Sequence, residues 1–517
     1  MDSVASAADL PDDIAQLKSL LLRERAALQQ ERQAHSETAT HYKQQIHSLL
    51  EALRLEKHRR YGASSEKSAY QSELFDEADT TAAEPDTAAD TEHTPVSSYR
   101  RRKAAARQPL PDDLPRVRTV IELSEQERQC SCGCTLAEIG EVVSEQLDIV
   151  PAQVQVLQTV RKKYACQGCE DTIKTAPKPN VLLPKAIASA NTMAYVITSK
   201  YADGIPLHRQ SAILARYRID LSRQTLSESV LKVAEKIIPL IEYLKVHLFA
   251  YPLLYMDESR VQVLKEPGKP ATSQSYMWVQ RGGPPDRPGV LFNYEPSRST
   301  ATASRLLDDY QGALMTDGYT SYRSVAAAQG LTHLCCWAHA RRKFKEAQQA
   351  QPRGKTGKAD VAINFIAKLY GVEKKERSSD AATRHRTRQT QSLAILKAFH
   401  AWLKDTQQRV PPKTALGKAV NYTLEYWVEL NRYTEHGDWP IDNNVAENAI
   451  RPFVIGRKNW LFSNSQRGAT GSANLYSLIE TAKANGKEPY RYLCWLFNKL
   501  PDADPQDIES LMPWNME

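Results

Sequence analysis

The stretch PLLYMDES, residues 252–259, carries an apolar run into Asp257, and ALMTDGYTSY, residues 313–322, does the same for Asp317. Between them, SYMWVQR (275–281) and GVLFNYEP (289–296) have the aromatic and β-branched content of strands, and STATASRLLDDYQG (299–312) reads as a helix. GLTHLCCWAHARRKFKEA (330–347) adds a fifth short strand and a basic helix, and WPIDNNVAENAIRPFVIGRKNWLF (439–462) places Glu447 in a short helix. The pattern is three strands, helix, strand, helix, strand, helix. It predicts an α/β sheet in which Asp257 and Asp317 each end a strand and meet Glu447 at one edge, although 60 and 130 residues separate them in turn.

This order resembles a ribonuclease-H-like core. Three carboxylates so gathered can hold two divalent ions about 3.5–4 Å apart, as phosphoryl transfer requires. Hard oxygen ligands favour Mg2+ or Mn2+. Glu258, Asp438 and Asp442 compete for the same role, ordinary surface acids are the plain alternative, and Asp442 can instead cap the Glu447 helix.

At 517 residues the chain has room for three or four domains, at about 150 residues each. Hydrophobic residues make up 41% and charged ones 25%, so the bulk is globular. No apolar run approaches the roughly 18 residues of a membrane span. The opening MDSVASAADLPDDIAQ lacks a basic region followed by an apolar one, which predicts a cytoplasmic protein without a secretory signal. The net charge of +7 is too mild to name a partner unless it is clustered. Five of the eight cysteines fall between Cys130 and Cys169, a pattern of metal binding more than of disulfides.

Residues 14–60 repeat Leu17, Leu21, Leu28, Tyr42, Ile46, Leu49 and Leu53 among charges, predicting a coiled coil, or else one amphipathic helix resting on its own chain. Residues 76–118 read as a linker, acidic and then basic. Residues 119–180 form a small zinc-binding domain, with Cys130 and Cys132 paired to Cys166 and Cys169, Cys134 as a substitute, and a strand through Val154, Val156 and Val160. Residues 186–244 predict three helices, the third capped near Ser222, that either read DNA through Arg216, Arg218, Arg223 and Gln224 or connect domains. The core spans 250–349 and 438–498 around a mainly helical insertion at 350–433, and 499–517 is a tail. GKTGK lacks the full phosphate-loop pattern, so no ATP site is assigned.

Basic residues flank the acids. His339, Arg341, Arg342 and Lys345 follow Trp337, and Arg451, Arg457, Lys458 and Trp460 follow Glu447, suited to phosphate contact and base stacking. A solvated helix in the first case and a β-hairpin with packed aromatics in the second are the structural alternatives.

MDESRVQVL, LMTDGYTSY, CCWAHARRKF and DNNVAENAIRPFVIGRKNWLFSNSQRGA together resemble insertion-sequence 66 family transposases, and the likeness runs from Ile14 to Asn498. The resemblance implies a DDE-type enzyme with Asp257, Asp317 and Glu447 as its acids and two Mg2+ or Mn2+ ions. It also implies a structural Zn2+, partners in double-stranded DNA with terminal inverted repeats and in target DNA, a homo-oligomer, and small accessory proteins. Two positions depart from the family pattern: Asn448 stands where a basic residue usually follows the Glu, and CSCGC stands for the first CxxC. A catalytically inactive DNA-binding or regulatory relative, or a structural coiled-coil assembly protein, would share much of this sequence.

Overall fold

A computed structural model describes residues 13–61, 154–165, 173–351 and 357–516. By contact the chain divides into residues 84–160 and a larger unit holding 1–83 and 161–517. Of the smaller unit only residues 154–160 are described; they carry no helix or strand, so the strand expected through Val154, Val156 and Val160 is absent there. Strand structure begins later, with β1 (Lys163–Ala165) antiparallel to β2 (Ile173–Thr175). Cys130, Cys132, Cys134, Cys166 and Cys169, and the 76–118 linker, lie outside the described residues.

Helix α1 (Ile14–Tyr61) is 48 residues long, about 72 Å at 1.5 Å per residue. Its heptad residues Leu21, Leu28, Tyr42, Ile46, Leu49 and Leu53 are all exposed. Near its end Arg54 donates to the Ala350 carbonyl and Glu51 accepts from the Ala415 amide.

Four helices follow: α2 (Ala190–Tyr201), α3 (Leu207–Arg216), α4 (Arg223–Lys236) and α5 (Ile238–Phe249). Ser222 caps α4, accepting from the Thr225 amide at 3.1 Å, an arrangement worth about 1 kcal/mol. The predicted single third helix is in fact α4 and α5, parted at Ile237 where Pro239 enters the first turn of α5. These helices share one apolar core with the sheet, so the segment is not a free-standing module.

The central sheet runs β5–β4–β3–β6–β7 in order, from β3 (Leu253–Lys265), β4 (Gln274–Gly282), β5 (Gly289–Glu295), β6 (Ala313–Thr316) and β7 (Thr332–Cys335). β3, β4 and β5 form an antiparallel meander, whereas β6 and β7 run parallel to β3. Helices α6 (Thr300–Leu306), α7 (Thr320–Gln329) and α8 (Trp337–Gln349) fill the connections in the predicted order. Asp257 is a correction. β3 continues to Lys265, because Val261 and Val263 are buried in alternation with exposed Arg260 and Gln262, and β4 pairs with it as far as Gln262. Asp257 therefore sits inside a strand, just beyond the parallel contact that ends at Tyr255 opposite Met315.

The insertion comprises α9 (Lys358–Lys375), α10 (Ala381–Thr387), α11 (Leu393–Arg409), α12 (Ala415–Glu425) and α13 (Trp427–Asn431). The Glu447 helix, α14 (Asn444–Trp460), is longer than predicted and passes through Pro452. It buries Phe453, and β8 (Ser463–Ser465) then pairs with the far end of β3, so the β-hairpin alternative does not hold. Helix α15 (Gln466–Ala484) covers the outer edge of the sheet. Its Ser477 and Thr481 hydroxyls accept from the Phe292 and Val290 amides of β5, occupying donors that an open edge strand would present. Helix α16 (Pro489–Lys499) packs against α2. The structure is thus a mixed α/β protein, mostly helical, around a central sheet.

Candidate active site

Asp257, Asp317 and Glu447 converge at the side of the sheet where β3 and β6 part. Asp317 follows β6 directly, in a turn that needs Gly318 at φ 84°, and a Cβ there would meet the Tyr422 hydroxyl at 2.5 Å. The Tyr319 amide donates to Asp317 Oδ1 at 2.9 Å, and Tyr422 of the insertion donates to the Asp317 carbonyl at 2.7 Å. Glu447 lies in the first turn of α14, whose start is fastened twice. The Asn443 side chain donates to the Met256 carbonyl at 3.0 Å, and the Asn443 amide lies 3.2 Å from Cys336 Sγ.

The electrostatics show how close the acids are. The Asp257 carboxyl is pushed well above the usual carboxylate range by loss of solvent, then by the charges of Glu258, Asp317 and Glu447. Glu447 is raised mainly by burial, against the pull of Arg342. Burial of mutually repelling carboxylates is unfavourable without a compensating cation. The oxygen donors therefore fit a hard divalent ion.

Glu447 is gripped from α8. Arg342 donates to Glu447 Oε2 at 3.1 Å and to His339 Nε2 at 3.1 Å. His339 Nδ1 stands 3.3 Å from Glu447 Oε1 without hydrogen-bond alignment. Burial, aided by the Arg342 charge, holds the His339 pKa down to about 4, so the ring is neutral near pH 7; accepting at Nε2 then puts its proton on Nδ1. Ligand atoms of Cys336, His339 and Glu447 lie within 4.8 Å of one another, yet burial pushes the Cys336 thiol up, which keeps it protonated and a poor ligand.

Of the competing acids, Glu258 lies next to the cluster but is spoken for. Its side chain is 2% exposed, accepts from Tyr322 and is ion-paired with Arg298, whose guanidinium stacks 3.8 Å over Tyr319. Alternation along β3 turns Glu258 to the opposite face from Asp257. Asp438 pairs with Arg384, and Asp442 accepts from Tyr370 and from the Asn444 amide at the start of α14.

The expected DNA-contacting residues separate into groups. Arg216, Arg218, Arg223 and Gln224 are exposed together around the turn from α3 to α4. Arg341 and Lys345 are half-buried on α8, whereas Arg342 faces Glu447. Arg451 is half-buried and Lys458 exposed; Arg457 donates to the Arg260 carbonyl, and Trp460 leans on Phe453 with ring centroids 5.6 Å apart. Sequence reasoning missed the contributions of Arg298, Tyr322 and Tyr422. No spacing rule marks them, because each acts across the fold.

Comparison with known proteins identifies a family. A model described as Transposase IS66 family matches residues 185–471, and the IS66 C-terminal element matches 477–514. The zinc-finger binding domain of transposase IS66 matches 127–170, which contains the cysteine cluster, and Transposase C of IS166 homeodomain matches 48–119. Two proteins of Sinorhizobium fredii (strain NBRC 101917 / NGR234), both named only as uncharacterized, are similar over most of their length. The protein y4jD is 34% identical over 81% of this chain and 84% of its own; y4qI is 31% identical over 99% of each. No solved structure matches. With the family model covering more than half of the chain, including every strand of the central sheet and all three acids, this protein belongs to the IS66 family of transposases.

Proposed function

We propose that the chain is a DDE transposase that cleaves the ends of a DNA element and joins the freed 3′-hydroxyls to target DNA. The observation that carries this reading is the convergence of Asp257, Asp317 and Glu447, with Asp257 raised by the charges of the other two. The strand order, an antiparallel meander continued by parallel strands, supports a ribonuclease-H-like core at 250–349 and 438–498 with the 350–433 insertion between its halves.

In the first step a water oxygen bonds to the scissile phosphorus and the P–O3′ bond breaks, leaving a 3′-hydroxyl on the element. In the second that hydroxyl oxygen bonds to a target phosphorus and displaces the target's own 3′-oxygen. Each step makes one P–O bond and breaks one, so no ATP is consumed. Asp257, Asp317 and Glu447 would hold two Mg2+ or Mn2+ ions, which when bound lower the barrier by stabilising charge on the attacking and leaving oxygens. Arg342 and neutral His339 keep Glu447 in one orientation, and Tyr422 and Tyr319 fix the turn bearing Asp317.

The remaining modules follow from the same reading. Cys130, Cys132, Cys166 and Cys169 would hold a structural Zn2+, in accord with the zinc-finger match. The exposed heptads of α1 suit self-association in a homo-oligomer that brings two element ends together. Arg216, Arg218, Arg223 and Gln224 form an exposed surface for terminal-repeat DNA, and small accessory proteins encoded beside the enzyme assist it. Among the described residues no helix is long and apolar enough to cross a membrane; the cytoplasm, where the DNA is, is the proposed site of action.

The test is cleavage and strand transfer with Mg2+ or Mn2+ on DNA carrying the element's terminal repeats, with accessory proteins supplied. Asp257→Asn should lower product at least about 1000-fold, as expected when several kcal/mol of charge stabilisation is lost. Equal product from variant and wild type would sink the assignment.

A further inference from the structure

We propose that the helical insertion is a second DNA-binding surface, on which the solvent faces of α9 and α11 hold the sugar-phosphate backbone of duplex DNA running to the acid cluster. This rests on the transposase reading and adds a surface to it. Residues 350–433 carry sixteen Lys and Arg against seven Asp and Glu, a net +9 in a chain whose total is only +7. The rest of the protein is therefore slightly acidic, and the basic excess lies here.

The excess is arranged. In α9, Ala359, Ala362, Ile366, Leu369 and Val372 are buried, the outer side presents Lys368 and Lys375, and Lys358 is exposed at the helix start. In α11, Leu396, Phe399, Leu403 and Thr406 are buried, and the opposite stripe presents Lys397 and Lys404 between small residues, Ala394 and Ala401. The two helices pack directly, with Phe365 stacked on Phe399 at 5.0 Å. Lys358 and Lys375 lie 17 residues apart, about 26 Å along the axis of α9, comparable with most of a turn of duplex.

The carboxylates of the insertion are engaged elsewhere. Glu373 pairs with Arg388, Glu425 and Glu429 with Arg323, and Asp405 with Arg409; Asp360, Glu376 and Asp380 accept from amide or hydroxyl donors. None of the five lysines is paired with a carboxylate among the described residues, so their charge is left for an outside polyanion. The insertion is also tied to the chemistry. Tyr422 bonds the Asp317 carbonyl at 2.7 Å, and Lys343 of α8 lies 4.5 Å over the same ring. DNA held on this surface would keep a fixed relation to the acids.

Salt-dependent binding of a fluorescent 40-base-pair duplex of arbitrary sequence tests this on the full chain. Each lost phosphate contact should flatten the slope of log K against log salt by about 0.9, so Lys358, Lys368, Lys397 and Lys404 changed together to Gln should flatten it by about 3 to 4. The same number of exposed lysines changed elsewhere, at Lys232, Lys236, Lys265 and Lys499, should alter it by less than about 1. Circular dichroism confirms that both variants fold. Parallel slopes for wild type and the insertion variant would overturn the proposal while leaving the transposase reading intact. Absence of duplex binding by the wild type would overturn that reading as well. Loss of binding to polyglutamate with DNA binding unchanged would assign the surface to an acidic protein and overturn the DNA proposal.

Discussion

The two layers that cover the central sheet are held by different forces. On one face Leu254, Met256 and Leu314 meet α2 to α5 and α15 in a large apolar core, whose buried hydroxyls Ser477 and Thr481 bond the β5 amides. On the other, Leu253, Ala313, Met315 and Leu334 meet the insertion in a smaller core, rich in stacked aromatics such as Phe399 with Phe365 and Trp427 with His400. This second layer is pinned by buried polar groups. Arg388 is 3% exposed, pairs with Glu373, and donates to the carbonyls of Tyr433, His436 and Gly437. Apolar burial tolerates exchange of shape and partner, whereas a buried charge demands its own partner. The insertion is therefore the layer whose geometry is specified residue by residue, and it is the layer that touches Asp317.

Arg388→Ala puts the greatest load on this contrast. It strands the Glu373 carboxylate and three carbonyls, and should cost about 3–5 kcal/mol in chemical denaturation. A loss below about 1 kcal/mol would show that packing, not the charge, holds the insertion. Acidification gives a smaller effect. Burial lowers the His333 pKa to about 4 from an ordinary 6.5. The folded state thus resists protonation that the unfolded chain accepts: the contribution is complete above pH 6.5 and is lost as pH falls towards 4, to a total of about 3 kcal/mol. His333→Gln should flatten the stability–pH curve over that window, and an unchanged curve would remove His333 from the account. Tyr422→Phe is the mildest change. Losing its bond to the Asp317 carbonyl should cost about 1 kcal/mol and lower strand transfer more than DNA affinity, which parallel binding and product assays would separate.

What was legible in the sequence follows the same division. The order of strands and helices and the Ser222 cap could be read from local periodicity and capping chemistry, whereas Asp257, Asp317 and Glu447 were singled out chiefly by the family resemblance. The end of β3 could not, because Asp257 interrupts the apolar run and only the pairing of Val261 with Ser275 on β4 shows that the strand goes on. Nor could the length of α14, read as a short helix, because burial of Phe453 carries the helix on past Pro452. Arg388 with Glu373 and Glu258 with Arg298 and Tyr322 gave no signal, since charge partners across a fold have no fixed spacing. The basic residues were visible, but which of them face water was not: Arg342 is turned onto Glu447, and the lysines of α9 and α11 are turned outwards.

Pro452 has a consequence for how the Glu447 helix moves. Proline has no amide hydrogen, so the carbonyl four residues back receives no helical bond. That carbonyl belongs to Asn448, an exposed residue immediately after Glu447. Mechanically, α14 is two rods joined by a softened link: a rear rod anchored through Phe453 in the core, and a front turn tied to β3 by Asn443. A twist of the rear rod bends the link first, while Glu447 is held in front by the Asn443 bond to β3 and by Arg342 of α8.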